Sequence, residues 1–215
     1  MSGRFIAFEG GEACGKSTQA ARLAARLDAV LTREPGGTPV GAQLRAVLLD
    51  PATRLTDRAE ALLMAADRAQ HVGEVVAPAL AAGRHVVTDR YAGSSLAYQG
   101  YGRGLPLDEV RRLSEWATCG LWPDVTVLLD VPLEVATARR TGRPDRLEAA
   151  GDDFHRRVGD GFRALAREHP ESWVVVDGTL GPDEVEELVW AAVVARCPEL
   201  APRDARHARH ARGDA

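Results

Sequence analysis

Short apolar runs alternate with longer amphipathic stretches along most of the chain. Phe5–Glu9 is an apolar run closed by a carboxylate and by Gly10-Gly11. Val30–Thr32, His85–Thr88, Val125–Leu129 and Trp173–Val176 are runs of the same kind. All are too short for helices and bounded by polar or turn residues, so they predict buried strands. Between them the period changes. Lys16–Leu27 puts Ala20, Leu23, Ala24 and Leu27 on one face, the spacing of a helix. Helices are likewise predicted for Val40–Leu49, Arg58–Ala82, Leu107–Thr118, Leu133–Arg140, Asp152–Arg167 and Pro182–Arg196. Within Arg58–Ala82, Gly73 and Pro78 mark a place for a break.

Five apolar strands separated by helices predict an α/β fold, a five-stranded parallel sheet with helices on both faces. Right-handed crossovers put every C-terminal strand end on one edge, where such sheets bind ligands. Glu9, Arg33, Asp89, Asp130 and Asp177 fall on that edge. Residues 1–196 read as one domain, with a polar Gly/Pro break at Thr141–Asp145 inside a basic segment of about 139–152. Residues 197–215 read as a disordered tail, an Ala/Arg repeat of low apolar content. A metal site at His207 and His210 is the alternative for that tail.

Composition narrows the function. The 215 residues are 45% hydrophobic and 27% charged with net charge −4, and that balance argues against broad nucleic-acid binding. No apolar run reaches membrane-spanning length and the N-terminus lacks a signal-peptide pattern, so a cytoplasmic protein is expected. Cys14, Cys119 and Cys197 are too far apart for a zinc or disulfide framework. Asparagine is absent, and of the 27 Lys and Arg residues only Lys16 is lysine. A compact ammonium and a planar guanidinium are different tools. The one retained lysine therefore points to a place that arginine cannot fill.

Lys16 stands in Gly10-Gly11-Glu12-Ala13-Cys14-Gly15-Lys16-Ser17, which fits G-x-x-x-x-G-K-[ST] between a predicted strand and a predicted helix. Such a P-loop cradles phosphate oxygens with inward backbone N–H groups and a helix N-terminus. Lys16 is suited to the β- and γ-phosphates of ATP and Ser17 to Mg²⁺. Residues Gly10 to Thr18 are the expected nucleotide-binding set, and Cys14 is a small residue tolerated in the turn. The Asn-Lys-x-Asp signature of guanine-selective switches cannot occur without asparagine. A small phosphotransferase then needs a second anion site. Arg33-Glu34-Pro35-Gly36-Gly37-Thr38, Asp89-Arg90-Tyr91, Arg68 and Ser94-Ser95-Leu96-Ala97-Tyr98-Gln99-Gly100 are the places to look, because two arginine forks from different loops bind one phosphate well.

Taken together, the segments Phe8–Gln19, Thr32–Thr38, Asp89–Tyr91 and Ser94–Gly100 resemble bacterial thymidylate kinases in order and spacing from about residue 4 to residue 195. The resemblance implies a P-loop NTPase fold with a mobile Arg-rich lid and a homodimer packed through helices. It implies transfer of the ATP γ-phosphoryl group to dTMP, with Mg²⁺ held by Ser17 and Asp89. Arg33 and Arg90 would hold the dTMP phosphate and Arg68 would bond the thymine. Ser95 and Gln99 would lie near the base, with Ser94 in the same binding set, and Tyr98 would pack against the deoxyribose. Glu12 would meet the 3′-OH or the phosphate region. Where the family carries an aromatic on the thymine, this chain has Met64, which covers a base face through polarizable contact. Ala13 occupies the P-loop position where some members carry a catalytic arginine. The resemblance is therefore to the lid-arginine type, with Arg143 or Arg146 catalytic and Arg139 and Arg140 in support. The alternatives are another P-loop nucleotide or deoxynucleoside kinase, and a non-catalytic nucleotide-binding regulator.

Overall fold

A computed structural model describes residues 3–201. Five strands, β1 (Phe5–Glu9), β2 (Val30–Arg33), β3 (Val86–Asp89), β4 (Val125–Asp130) and β5 (Trp173–Asp177), form one all-parallel sheet in the order β2-β3-β1-β4-β5. The predicted α/β class holds. Register brings Arg33 opposite Asp89 and Asp130 opposite Asp177, so the strand-end polar residues do share one edge.

Alternation along each strand separates two faces. Ile6, Phe8, Val125, Val127 and Leu129 pack under helices α1 (Lys16–Leu27) and α9 (Pro182–Arg196). Phe5, Ala7 and Leu128 face the other layer. That layer contains α2 (Pro39–Leu49), α3 (Asp57–His71), α4 (Ala77–Ala81), α5 (Ala92–Ser95), α6 (Leu107–Thr118) and α8 (Asp152–Glu168). Helix α7 (Leu133–Arg139) leads into the segment after β4. Among the described residues no helix is long and apolar enough to cross a membrane.

The predicted helix over Arg58–Ala82 is three pieces. Helix α3 gives way to a π-helical turn, Val72–Val76, before α4. Pro78 offers no N–H and crowds the carbonyl four residues back, so the ladder widens there instead of continuing. A second π-helical segment, Leu96–Gly102, follows α5 and is almost wholly buried. Glycines at 93, 100 and 102 hide this element from a propensity reading. Gly93 is required by close approach, since a Cβ there would lie 2.8 Å from Glu9 Oε1. At the C-terminus, Cys197 is buried and Pro198–Leu200 forms a 3₁₀ turn whose Leu200 packs on the core. The chain thus remains packed past residue 196. His207, His210 and most of the expected tail lie outside the described residues.

Thr38 starts α2, its Oγ1 accepting from Gly41 N at 2.9 Å, with Pro39 at the first helical position. Replacing Thr38 with Ala removes that cap and is expected to lower unfolding free energy by about 1 kcal/mol in urea titrations. No change would show that α2 is set by packing alone.

Candidate functional site

The loop from Gly10 to Ser17 leaves β1 and enters α1. Gly10 at φ 141° and Gly15 at φ 93° adopt conformations that a side chain would strain. Gly15 is the residue before the first turn of α1, which aims the helix N-terminus at the loop's hollow. Lys16 is buried, its Nζ donating to Gly11 O at 2.5 Å and lying 3.4 Å from Cys14 Sγ. Beside it Ser17 Oγ donates to Asp89 Oδ2 at 2.5 Å. Asp89 Oδ1 is buried and has no hydrogen-bond partner among the described residues. Two oxygen ligands side by side, one with an unspent lone pair, suit a hard cation that takes its other ligands from phosphate and water. The residues fit Mg²⁺.

Arg90 joins this loop to the next. Its backbone is left-handed at φ 72°, a conformation costing of order 1–3 kcal/mol in a long-chain residue. The turn throws its guanidinium back across β1. Nη1 donates to Gly10 O at 3.0 Å and Ser94 Oγ at 3.1 Å. Nη2 donates to Glu12 Oε1 at 2.7 Å and Tyr98 Oη at 3.1 Å. Tyr98 Oη in turn donates to Glu12 Oε1 at 2.7 Å. Burial alone would raise the Glu12 pKa. Arg90, Lys16 and the Tyr98 hydroxyl outweigh it and hold the carboxyl at about 2. Burial raises the Tyr98 pKa far above its usual value, so its hydroxyl stays a neutral donor.

Two hollows meet at this pair. The larger, about 750 Å³, is lined by Glu12 to Thr18, Arg33, Gly36, Gly37, Asp89 and Arg139. The second is walled by Pro35, Leu49, Met64, Arg68, Ser94, Ser95, Tyr98 and Gln99. Glu12, Glu34, Arg45 and Arg90 line both. The first compartment is the more basic and open; the other is smaller and partly apolar.

Arg68 is only 2% exposed. Its Nε donates to Glu34 Oε2 at 2.8 Å, Nη1 to Ser95 Oγ at 3.1 Å and Nη2 to Tyr91 O at 3.1 Å. Glu34 Oε1 lies 2.8 Å from His71 Nδ1, and His71 Nε2 2.7 Å from Thr32 Oγ1. Glu9 lies behind the Arg90 turn, accepting from Tyr91 N, Ser94 N and Ser94 Oγ. Burial pushes its carboxyl up to about 7, against the pull of Ser94 and Arg90.

The structure therefore brings together Lys16, Ser17, Asp89, Arg90, Arg33 and Glu12 at one hollow. Met64, Arg68, Ser94, Ser95, Tyr98 and Gln99 meet at the other. Besides Glu9, two residues of the strand-end edge line neither hollow. Asp130 pairs with Arg163 and Asp177 caps its own turn through Thr179. In the basic segment, Arg139 lines the larger hollow and donates to Gly178 O and Thr179 O. Arg143 is exposed. Arg146 is turned away, its Nε donating to Leu48 O and its Nη1 to Glu60 Oε2, both at 2.7 Å. The reading of the sequence missed Arg45. It lies on α2 between the buried Gly41 and Leu48, four residues after one and three before the other. A charged residue on the inward face of a helix was the available signal. Burial, and then Arg33, lowers its pKa.

Glu9 makes stability depend on pH. Its folded pKa, about 7, lies above the ordinary 4.5. The protonated form is thus favoured by folding, and its contribution is full below 4.5 and lost as pH rises through 7. Relative to a Glu9→Gln variant, the wild-type chain is expected to lose about 3 kcal/mol of unfolding free energy between those limits. Parallel stability-against-pH curves for the two would contradict it.

A family model described as thymidylate kinase matches residues 8–189. A protein of Deinococcus radiodurans named thymidylate kinase is 52% identical over 201 residues, 90% of this chain and 98% of its own. One of the same name from Geotalea uraniireducens is 46% identical over 211 residues, 92% of this chain and 99% of its own. The crystal structure of thymidylate kinase from Ehrlichia chaffeensis superposes with a TM-score of 0.75 at 30% identity, covering 90% of this chain and 99% of that one.

Proposed function

The chain belongs to the thymidylate kinase family, and from that premise we propose how its two hollows carry transfer of the γ-phosphoryl group from ATP to dTMP, giving ADP and dTDP. The observation that carries the reading is the shared wall. Glu12, Arg45 and Arg90 line both compartments, so a phosphate in each would meet end to end across one set of charges. Another P-loop nucleotide or deoxynucleoside kinase is the less favoured alternative, since relatives at about half identity carry the thymidylate kinase name.

The larger hollow takes the ATP phosphates, with the loop amides and Lys16 as donors. Ser17 and Asp89 would hold Mg²⁺, which would supply charge neutralisation for the donor phosphates. The smaller hollow takes dTMP. Arg90, Arg33 and Arg45 hold its phosphate, Met64 covers the base, Arg68 and Gln99 meet the base edge, and Tyr98 packs against the deoxyribose. Glu12, held ionised by Arg90 and Lys16, accepts from the 3′-OH.

The acceptor oxygen belongs to a phosphate monoester whose second pKa is ~6. It is already mostly ionised at neutral pH, so no general base is required. The barrier is the approach of two anions, lowered by Lys16 and the arginines acting on equatorial oxygens in a loose transition state. Arg143, exposed in the basic segment, is the lid cation that follows that charge. Arg146 anchors the lid's far end through Glu60. Lid closure excludes water as a competing acceptor. The chain acts as a cytoplasmic homodimer, a reading supported by exposed apolar side chains at Leu62 on α3 and Trp116 on α6.

A coupled ADP-release assay across nucleoside monophosphates tests the reading. Turnover is expected to be greatest with dTMP and to be lost in Lys16→Ala, whose circular dichroism stays native. Near-normal activity of that variant would refute the phosphate-loop role. Arg143→Ala is expected to lower kcat by about 10³ or more with little change in dTMP affinity. A change in KM alone would make Arg143 a binding residue.

A further inference from the structure

Glu60 on α3 is 1% exposed, touches neither hollow's wall, and is nevertheless the acceptor for four donors. Oε1 accepts from Gln99 Nε2 at 2.9 Å and Arg103 Nε at 3.2 Å. Oε2 accepts from Arg103 Nη2 at 2.9 Å and Arg146 Nη1 at 2.7 Å. We propose that Glu60 is a positioning residue for base selection: its carboxylate fixes the Gln99 amide so that Gln99 shows the acceptor cavity an oxygen and not an NH₂ group. The proposal rests on the reading above that this cavity takes a nucleobase.

The orientation follows from donor and acceptor counts. Burial alone would raise the Glu60 pKa, but Arg103, Gln99 and Arg146 together lower it, so the group is ionised and can only accept. Were Gln99 turned over, its Oε1 would face a carboxylate oxygen at hydrogen-bond distance. That contact is repulsive and leaves a buried acceptor unmatched. Gln99 is itself 1% exposed, and no hydrogen bond among the described residues reaches its Oε1. One N–H of Nε2 anchors the nitrogen end of the amide on Glu60, so the oxygen is the end left to meet the cavity Gln99 lines.

Arg68 supplies the opposite polarity. Of its five N–H groups three are used, by Glu34, Ser95 and Tyr91, and two are unspent. The cavity therefore presents donors from Arg68 and an acceptor from Gln99. A 4-keto pyrimidine carries an acceptor at O4 and a donor at N3–H, which is the complement. A 4-amino pyrimidine carries a donor at N4 and a lone pair at N3, which places like against like at both points. Rejection of this kind is strong, because mismatched partners remain unpaired in a buried site.

Glu60→Gln gives the arrangement a sign. Arg103 Nη2 and Arg146 Nη1 hold the new amide's oxygen at the Oε2 position, so its NH₂ stands at the Oε1 position facing Gln99, with loss of the Arg103 Nε bond. Gln99 then turns its own oxygen toward that NH₂ and shows an NH₂ to the base. The test compares kcat/KM for dTMP and for dCMP by ADP release in wild type, Glu60→Gln and Gln99→Ala. The dTMP-to-dCMP ratio is expected to fall at least about tenfold in Glu60→Gln, with dCMP gaining in absolute terms. Equal losses for both substrates in Glu60→Gln would make Glu60 merely structural and overturn the proposal. If Glu60→Gln does not fold, Gln99→Asn withdraws the amide from Glu60 and frees its rotation. An unchanged ratio there overturns the proposal as well. Gln99→Ala separates the two levels. A changed ratio in Gln99→Ala with an unchanged one in Glu60→Gln removes only Glu60. An unchanged ratio in Gln99→Ala removes the base reading beneath it.

Discussion

Cations gathered at one hollow must be kept from repelling one another, and the Arg90–Glu12 pair is where this constraint is met. Lys16, Arg33, Arg45 and Arg90 converge on one hollow. Uncompensated, they would repel, and a buried one such as Lys16 would carry a desolvation cost of several kcal/mol. Glu12 lies between two of them, 2.7 Å from Arg90, and remains ionised to about pH 2. It ties the loop after β1 to the turn after β3, and Tyr98 from the following π-helical segment joins the same two groups. Three separate chain segments are thus set by one charge-assisted cluster.

The same arrangement recurs around it. Glu34 holds Arg68 at the wall of the smaller hollow, and Glu60 holds Arg103 and Arg146, each carboxylate buried. A buried ion pair of this kind adds little net stability, because desolvation offsets most of the attraction. Its effect is on geometry. A guanidinium bonded at Nε to a fixed carboxylate has its remaining N–H groups aimed, so substrate meets oriented donors and little reorganisation remains for the reaction. Glu9 extends this behind the Arg90 turn by accepting three hydrogen bonds from residues 91 and 94.

The fold was legible in the sequence because it rests on periodicity. The strand runs and the helices α1, α6 and α9 fall where the apolar pattern puts them. The phosphate loop was legible because its geometry needs particular residues in sequence order. What periodicity missed were the π-helical turns at Val72–Val76 and Leu96–Gly102, whose spacing departs from 3.6 and whose glycines read as breaks. Arg45 and Glu60, and the role of Glu34 within its segment, were missed for another reason. Their roles arise from partners more than thirty residues away, or from a neighbouring helix face, and no local pattern records that. Arg146 shows the converse: within the basic segment it looks the same as Arg143, and its contacts with Leu48 O and Glu60, 98 and 86 positions away, separate them.

The central claim is that two phosphate chains meet across Arg90 and Glu12, with Lys16 on the donor side. Its most direct test is a crystal structure with adenosine and thymidine joined through a linear polyphosphate. The account places the adenosine end beyond Lys16, the thymine beside Gln99 and Arg68, and the chain of phosphates continuous past Arg90. A thymidine end lying outside the Met64–Gln99 cavity, or phosphates that bypass Arg90, would contradict it.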